Sequence, residues 1–257
     1  MNKILLVDIG NTRIKWALAS KPGDQETAIE TQKYFPWQKE NLPGQLSSHW
    51  SDLDRPEAVY VSNVAGDEIK VILSHWCQFQ WNITPDFAIV EETCCGITNS
   101  YPEPEKLGVD RWLAMIAGWD LVRNDVCVID CGSAVTFDLI NSKGEHLGGM
   151  IAPGLALSGR ALTDHTHALT TERRKHFSLL ADITEDAISS GCYHFFIGGI
   201  QHVIRKIQQQ FATEIRCIIT GGDAERVLEN LKDDSDIKLE HEADLILRGL
   251  LISSETK

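Results

Sequence analysis

The sequence predicts an α/β protein built from two related lobes, and two observations support this prediction. A short apolar run ends in Asp-x-Gly and a small polar residue near residues 5–12, and a similar pattern returns at residues 127–138. In both places a second apolar stretch follows, as expected for a buried strand that turns back. Elsewhere, strand-like runs alternate with helix-like segments. The repeat therefore favours lobes at residues 1–117 and 118–257, with a nucleotide cleft between them.

In the first lobe, a hairpin over residues 3–18 is predicted to turn at Gly10-Asn11-Thr12. Residues 21–54 are polar, contain Pro and Gly, and give no well-defined element. Apolar residues at helical spacing then indicate helices between the strands. The predicted elements after residue 54 are a strand at 58–64, a helix at 67–81, a strand at 87–90 and a helix that ends near 123.

The second lobe opens with the repeated hairpin at residues 126–140 and continues through a glycine-containing stretch at 148–154. A long helix is predicted at 184–211 and a buried strand at 215–220. That strand ends in Gly221-Gly222, after which another helix begins. A last amphipathic helix is expected at 243–252.

Composition narrows the function classes. The formal net charge of −13 argues against a nucleic-acid surface, which needs a basic face, and argues weakly against binding to anionic membranes. Seven cysteines occur without a CxxC motif, as in reduced cytosolic proteins. No apolar run approaches the roughly 18–20 residues of a membrane span, and the first residues do not form a signal peptide. We therefore expect a cytoplasmic protein without a membrane partner.

The two Asp-Gly turns point to phosphate chemistry. Asp8 and Asp130 each end a strand, where a carboxylate can hold a cation that neutralises a phosphate in transfer. Backbone N–H groups in such turns bind phosphate oxygens, and Lys15 on the return strand could add a positive charge. An ordinary hairpin turn is the alternative for the first copy, but the second copy makes it less favoured. Gly221-Gly222 would admit an adenine ring or ribose, or form an ordinary turn.

Asp110 and Asp138 are two further acidic residues that could belong to the site. Asp110, in Gly108-Val109-Asp110-Arg111, could accept the proton of an alcohol that attacks phosphorus, and Arg111 could bind a carboxylate or phosphate. The local sequence alone favours the alternative, in which Asp110 caps a helix and Arg111 pairs on the surface. Asp138 is more consistent with a solvent-facing strand residue than with a second polar contact. Neither a P-loop nor a GxGxxG motif occurs.

Taken in order, these motifs resemble the type III pantothenate kinases of the acetate and sugar kinase/actin-like superfamily, over essentially the whole chain. The resemblance implies two ribonuclease H-like (actin/hexokinase-like) lobes. It rests on the blocks at 8–15, 101–112, 129–136, 149–154, 184–191 and 220–224. Two positions depart from the usual family pattern. Ser133 replaces a Thr that contacts ATP and keeps its hydroxyl, and Ile183 stands where an Asn usually precedes Thr184.

The resemblance also implies roles for individual residues. Asp110 corresponds to the catalytic base, and Asp130 to the ligand of a monovalent cation, K⁺ or NH₄⁺. Asp8 is expected to hold Mg²⁺, directly or through water. The ATP and phosphate contacts are Asp8, Ile9, Gly10, Asn11, Thr12, Arg13, Ile14, Lys15, Gly132, Ser133, Gly221 and Gly222. The pantothenate contacts are Tyr101, Gly108, Val109, Asp110, Arg111 and Thr184.

The sequence thus predicts ATP-dependent phosphorylation of pantothenate to 4′-phosphopantothenate, the first step of coenzyme A biosynthesis, by a homodimer. Two alternatives remain at this point. One is another small-molecule kinase of the superfamily, and the other is a nucleotide-binding accessory factor for transcription, which the same family also contains. The presence of a candidate base together with both turns favours the enzyme.

Overall fold

The computed structural model describes residues 3–20, 28–164, 177–211 and 215–256. The strands are β1 (Lys3–Ile9), β2 (Arg13–Ser20), β3 (Lys33–Pro36), β4 (Val59–Asn63), β5 (Asp86–Phe87), β6 (Thr93–Cys94), β7 (Ile97–Thr98), β8 (Val126–Cys131), β9 (Ala134–Ile140), β10 (His146–Pro153), β11 (Arg216–Thr220) and β12 (Leu239–His241). The helices are α1 (Leu42–Trp50), α2 (Asp67–Trp81), α3 (Val109–Val122), α4 (Leu155–Asp164), α5 (Thr184–Gln210), α6 (Ala224–Leu231) and α7 (Leu245–Ser254). Short 3₁₀ turns occur at Lys39–Asn41 and Pro104–Lys106.

The chain divides into two compact units. The first contains Met1–Arg123, Lys143–His146 and Asp244–Lys257, and the second contains Asn124–Ser142 and Leu147–Ala243. The boundary therefore lies after Arg123, where α3 has ended, and not between 117 and 118, which fall inside that helix. The C-terminal segment belongs to the first unit because α7 packs against α3, β1 and β4.

In the first unit, a mixed sheet has the strand order β3-β2-β1-β4-β5. β1 pairs antiparallel with β2 and parallel with β4, and six of its seven residues are buried. A central strand covered on both faces needs such a continuous apolar run. Four tryptophans fill the core beside the sheet, with edge-to-face packing between Trp50 and Trp76 at 5.6 Å and between Trp76 and Trp81 at 4.8 Å.

The second unit repeats this arrangement with the strand order β10-β9-β8-β11-β12. β8 pairs antiparallel with β9 and parallel with β11, as β1 does with β2 and β4. One core joins these strands to α5 and α6 through Phe137, Phe196, Ile200 and Val227. The internal repeat predicted from the two Asp-Gly hairpins is therefore confirmed in the strand pairing of both sheets.

Most predicted elements are confirmed, among them both hairpins and the helices at 67–81 and 184–210. The predicted strand at 87–90 is wrong beyond Phe87, since only Asp86–Phe87 pairs at this edge of the sheet. Helix α1 was not predicted because Pro43 and Gly44 read as loop residues. Its Pro lies in the first turn, where the missing N–H has no partner to lose. No helix among the described residues is long and apolar enough to cross a membrane.

The contact between α3 and α7 depends on Gly249. A Cβ added at this position would lie 2.6 Å from the carbonyl carbon of Leu113 and 3.0 Å from its Cα. Backbone atoms inside a buried helix cannot move aside, so we expect Gly249→Ala to lower the free energy of unfolding by about 2 kcal/mol. Denaturant titration would measure this loss.

A matched control is Gly198→Ala in α5, where the added Cβ meets nothing within 4 Å. Because Ala favours the helix over Gly, this variant should be unchanged or more stable by ~0.5–1 kcal/mol. Equal stability of the Gly249→Ala variant and the unmodified protein would show that α7 can shift away from α3.

Candidate active site

The first Asp-Gly turn is held at the end of the first unit's central strands. Asp8 is 5% exposed, and the Ser62 hydroxyl donates a 3.0 Å hydrogen bond to its Oδ1. Asp8 lies directly opposite Lys15 across the antiparallel pair, which places both side chains on one face of the sheet. The Gly10 N–H donates to the Arg13 carbonyl at 3.1 Å and closes the turn.

Trp37 also holds the backbone of this turn. Trp37 Nε1 donates to the Gly10 carbonyl at 2.9 Å, while Asn11 and Thr12 remain exposed. A buried carboxylate, a nearby lysine and an exposed turn between them form an arrangement that can bind a phosphate together with its cation. The structure thus places the predicted residues 8–15 in one hairpin, with residues 10–12 as its turn.

The second turn brings together three predicted positions that are far apart in sequence. Gly132 N–H donates to the Ala134 carbonyl at 3.0 Å, and a Cβ on Gly132 would lie 3.4 Å from Asp130 Oδ1. Gly221 has φ +97°, and a Cβ there would lie 2.5 Å from the Cys131 carbonyl carbon and would also overlap Asp130 Oδ1. The Asp130 carboxylate is therefore enclosed by glycine backbone from two loops.

Gly154 is a further glycine that packs against the second turn. The sequence pattern marks it only as part of the glycine-containing stretch at 148–154. Its N–H donates to the Ser133 carbonyl at 3.0 Å, and a Cβ would lie 2.6 Å from that oxygen. Ser133 and Gly222 are exposed beside it. Asp138, expected to face solvent, is instead 2% exposed, because β9 lies between β8 and β10 in the sheet.

The Gly108–Arg111 segment starts helix α3. Asp110 Oδ1 accepts a 2.8 Å hydrogen bond from the Arg111 N–H and lies over Gly108, where a Cβ would be 2.5 Å away. Arg111 is only 6% exposed, so the alternative of surface pairing for this side chain is wrong. The first helical turn favours a negative charge, and Asp110 supplies one at the second residue of α3.

Arg111 is part of an aromatic cluster in the first unit. Its Nη1 donates to the Tyr101 hydroxyl at 3.1 Å, and its guanidinium carbon is 5.8 Å from the Tyr101 ring centroid. The Tyr101 ring stacks on the His146 imidazole with centroids 6.1 Å apart and planes 13° apart. Ser100 Oγ and His146 Nδ1 form a 3.0 Å hydrogen bond.

His146 is the residue of this cluster that the sequence analysis missed. It is 3% exposed and lies 46 residues beyond Ser100, at the start of β10. No local motif marks His146. Its contacts form because Lys143–His146 folds with the first unit. In the sequence His146 is only the last residue of a polar stretch, 141–146, which is typical of a loop.

Thr184 begins α5 in the second unit. It lines a mostly apolar cavity of about 830 Å³ together with Val135, Phe137, Ile188 and Phe195. The hydroxyl of Thr184 is thus one of few polar groups in this cavity, and its role in binding pantothenate stays a prediction.

The donor set at the two turns is suited to hard cations. Among the residues that the structure describes, no three His, Cys, Asp or Glu side chains are grouped as a metal site would require. Mg²⁺ in nucleotide sites commonly uses one or two carboxylates and completes its shell with phosphate oxygens and water. Asp8 and Asp130 fit ions of that kind, which a bound nucleotide would help to hold.

Solved structures that match over nearly the whole chain identify the fold. Component A of the (R)-2-hydroxyglutaryl-CoA dehydratase of Acidaminococcus fermentans matches with a TM-score of 0.55 and 13% identity, over 98% of this chain and 96% of that chain. The activator of the 2-hydroxyisocaproyl-CoA dehydratase from Clostridium difficile, with bound ADPNP, matches with a TM-score of 0.54 and 9% identity, over 98% and 92%. The chain therefore has the actin/hexokinase-like fold, the class that its paired turns define.

Sequence comparison identifies the family within this class. The type III pantothenate kinase family matches residues 4–206. Type III pantothenate kinase of Nitrosococcus oceani is 38% identical over 96% of this chain and 92% of its own length. That of Nitrosospira multiformis is 35% identical over 100% and 93%. The chain belongs to the type III pantothenate kinase family.

Proposed function

We propose that this protein transfers the γ-phosphoryl group of ATP to the hydroxyl group of pantothenate, which yields 4′-phosphopantothenate in the first step of coenzyme A biosynthesis. One observation carries this proposal: in a member of this kinase family, Asp110 lies in the first turn of α3, next to the buried Arg111, which donates a hydrogen bond to the Tyr101 hydroxyl. A carboxylate next to a fixed cation provides both a proton acceptor and an anchor for an anionic substrate.

Asp110 acts as the general base in this proposal. It accepts the hydroxyl proton as the substrate oxygen attacks the γ-phosphorus, and the Arg111 N–H bond to Oδ1 at 2.8 Å holds its orientation. Arg111 binds the carboxylate of pantothenate, with the Tyr101 hydroxyl fixing the guanidinium at 3.1 Å. Gly108 has no side chain and so leaves space beside the Asp110 carboxylate. Val109 is also proposed to contact pantothenate.

The two turns bind ATP. Asp8 to Lys15 contact its phosphates, and the second contact set is Gly132, Ser133, Gly221 and Gly222. Asp8 holds Mg²⁺, directly or through water, and Asp130 holds K⁺ or NH₄⁺. When bound, these ions neutralise the negative charge of the phosphates. Lys15, on the same sheet face as Asp8, adds a positive charge from the protein itself.

A homodimer is part of the proposal, and the second unit carries a surface that supports it. Several large apolar side chains around α5 and β10 are exposed: Phe195 at 85%, Leu180 at 87% and Ile151 at 64%. Exposed large apolar side chains of this kind can contribute to a protein contact surface. Thr184 lines the cavity on the same unit and is proposed to contact pantothenate.

We also propose a cellular location for this protein and prefer the kinase function to its two alternatives. The seven free cysteines fit a reducing cytoplasm, which we propose as the location. An accessory role in transcription is not favoured, because the curated relatives are kinases and Asp110 and Arg111 are both in place. Another acceptor substrate within the superfamily is the remaining alternative, and an assay with several acceptors distinguishes it from pantothenate.

A steady-state assay with coupled ADP detection tests the function. Pantothenate should be phosphorylated in the presence of ATP, Mg²⁺ and K⁺, and sugars, acetate and glycerol should give no turnover above background. Mass spectrometry of the product should show one added phosphoryl group. Turnover of another acceptor in preference to pantothenate would refute the proposal.

His146 is expected to position Tyr101 and not to take part in the chemistry. Because His146→Ala removes both the stacking on Tyr101 and the Ser100 hydrogen bond, KM for pantothenate should rise about fivefold while kcat and KM for ATP change little. His146→Phe, which keeps the ring, should recover most of the loss. His75→Ala, an exposed histidine on α2, is the control. An unchanged KM for pantothenate in His146→Ala would rule this role out.

Asp130 is expected to be required for the monovalent-cation response. Asp130→Ala should turn over at similar rates in KCl and NaCl, because the carboxylate that distinguishes them is absent. The rise in melting temperature on adding KCl to the ATP-bound protein should also disappear. Asp233→Ala, an exposed carboxylate in the same unit, is the control. A retained potassium response in Asp130→Ala would contradict the assignment.

A further inference from the structure

Two neighbouring cysteines lie at the tip of a small ribbon in the first unit. The Sγ atoms of Cys94 and Cys95 are 3.2 Å apart, and both side chains are partly exposed. Four of the remaining cysteines are buried: Cys77, Cys127, Cys131 and Cys217. The pair thus combines a close sulfur–sulfur contact with access to small molecules.

The ribbon turns tightly at this pair. Cys94 pairs with Ile97, and the two residues between them, Cys95 and Gly96, have φ +53° and +87°. A two-residue hairpin loop with both φ values positive is a type I′ turn, which favours Asn-Gly over Cys-Gly. Hairpin formation therefore does not account for a cysteine at the first loop position.

One side of the pair is closed by the C-terminal end of the chain. Cys95 Sγ lies 3.5 Å from Thr256 Oγ1 and 3.9 Å from the Ile252 carbonyl, and Cys94 Sγ lies 3.9 Å from Thr256 Oγ1. Burial, followed by the hydrogen bond and charge of Cys95, raises the pKa of Cys94 to about 12. At neutral pH this thiol is mostly protonated, so its reaction with an oxidant is slow.

The ribbon is hydrogen-bonded to the segment that carries Tyr101. Asn99 N–H donates to the Glu92 carbonyl at 2.8 Å, and Asn99 Oδ1 accepts from the Tyr101 N–H at 3.0 Å. At the turn itself, a Cβ on Gly96 would lie 2.8 Å from the Trp119 ring. Because both ends of the ribbon are closely packed, we expect a change in its turn to displace the Tyr101 segment.

We propose that Cys94 and Cys95 form a reversible redox site, at which a small-molecule disulfide oxidises the pair to an intramolecular disulfide and weakens pantothenate binding. One thiolate attacks the small disulfide, releases one thiol and forms a mixed disulfide with the protein. The other cysteine attacks the protein sulfur of that mixed disulfide and releases the second thiol. Two electrons pass to the oxidant, and the two protons leave on the released thiols.

Closure of this disulfide changes the turn. Adjacent Cα atoms are ~3.8 Å apart, below the ~4.4–6.8 Å of usual disulfides. The ring that forms is consequently strained and readily reduced, as expected of a reversible site. The effect on pantothenate rests on the proposed function, whereas disulfide formation does not.

Disulfide formation is tested by mass spectrometry. The reduced full-length protein would be incubated with glutathione disulfide, alkylated with iodoacetamide and digested. The peptide containing Cys94 and Cys95 should lose two hydrogens, with both residues unalkylated, and dithiothreitol should restore alkylation. Cys94→Ser and Cys95→Ser should each retain one glutathione adduct instead. Loss of two hydrogens only at Cys127 and Cys217, or none at all, would overturn the proposal.

The effect on binding is tested by kinetics on the oxidised protein. KM for pantothenate should rise about fivefold with KM for ATP unchanged, and dithiothreitol should reverse the change. The double variant Cys94→Ser/Cys95→Ser, which has no thiol at the turn, should keep the same KM for pantothenate with and without the oxidant. A disulfide that forms without any change in KM would overturn the coupling to Tyr101. If pantothenate is not a substrate at all, the mass measurement still tests the redox site independently.

Discussion

The Asp110→Asn variant should bind ATP and pantothenate almost normally and lose nearly all turnover. Asn keeps the Oδ1 atom that accepts the Arg111 N–H bond, so the start of α3 is preserved. It cannot take the hydroxyl proton, and a general base contributes about 10²–10⁴-fold in rate. We expect kcat to fall about 1,000-fold, which corresponds to about 4 kcal/mol of transition-state stabilisation.

Two measurements separate this role from helix capping. Loss of the negative charge in the first helical turn costs only ~0.3–1 kcal/mol, so the melting temperature should fall slightly. Calorimetric titration should give affinities for pantothenate and ATP close to those of the unmodified protein. Asp120→Asn, near the end of the same helix, is the matched control and should keep full activity. Turnover near the normal rate in Asp110→Asn would remove Asp110 from the base role.

The repeated hairpins could be predicted because their signal is local. A buried central strand, a glycine turn and a return strand are all contained in about fifteen residues, and the same order of types occurs in both halves. The sheet pairing then follows from the hairpins. By contrast, the assignment of α7 to the first unit depends on its packing against α3, more than a hundred residues earlier in the chain, and no local pattern specifies that contact.

The candidate site likewise contains residues with a local sequence signal and residues without one. Asp8 and Asp130 were predicted as site residues because each stands two residues before a glycine at the end of a strand, whereas the role of Asp110 came from the family resemblance. The burial of Arg111 and the stacking of His146 on Tyr101 were not predicted, because both depend on tertiary contacts between separated segments. Local sequence favoured an exposed Arg111, because an arginine in a first helical turn usually faces solvent. Here the Arg111 guanidinium donates a hydrogen bond to the Tyr101 hydroxyl and lies over the Tyr101 ring.

Gly221→Ala should strongly reduce the use of ATP, because Gly221 belongs to the proposed ATP contacts and has no space for a side chain. At φ +97° an Ala is strained, and its Cβ would lie 2.5 Å from the Cys131 carbonyl carbon and 2.6 Å from the Cys131 nitrogen. Those atoms belong to a central strand and cannot move aside. The loop must therefore shift away from Asp130. A displacement of about 1 Å can cost 100-fold, and we expect a loss of that size in kcat/KM for ATP.

The control for this variant is Gly148→Ala. Gly148 also has a left-handed conformation, at φ +113°, but a Cβ there meets nothing within 4 Å. It therefore carries the backbone strain without the clash, and its kcat/KM for ATP should change little. Pantothenate affinity, measured by calorimetry without nucleotide, should be retained in both variants. If Gly221→Ala binds ATP as tightly as Gly148→Ala does, the Gly221 loop lies outside the nucleotide site, and the proposed contact of Gly221-Gly222 with ATP is wrong.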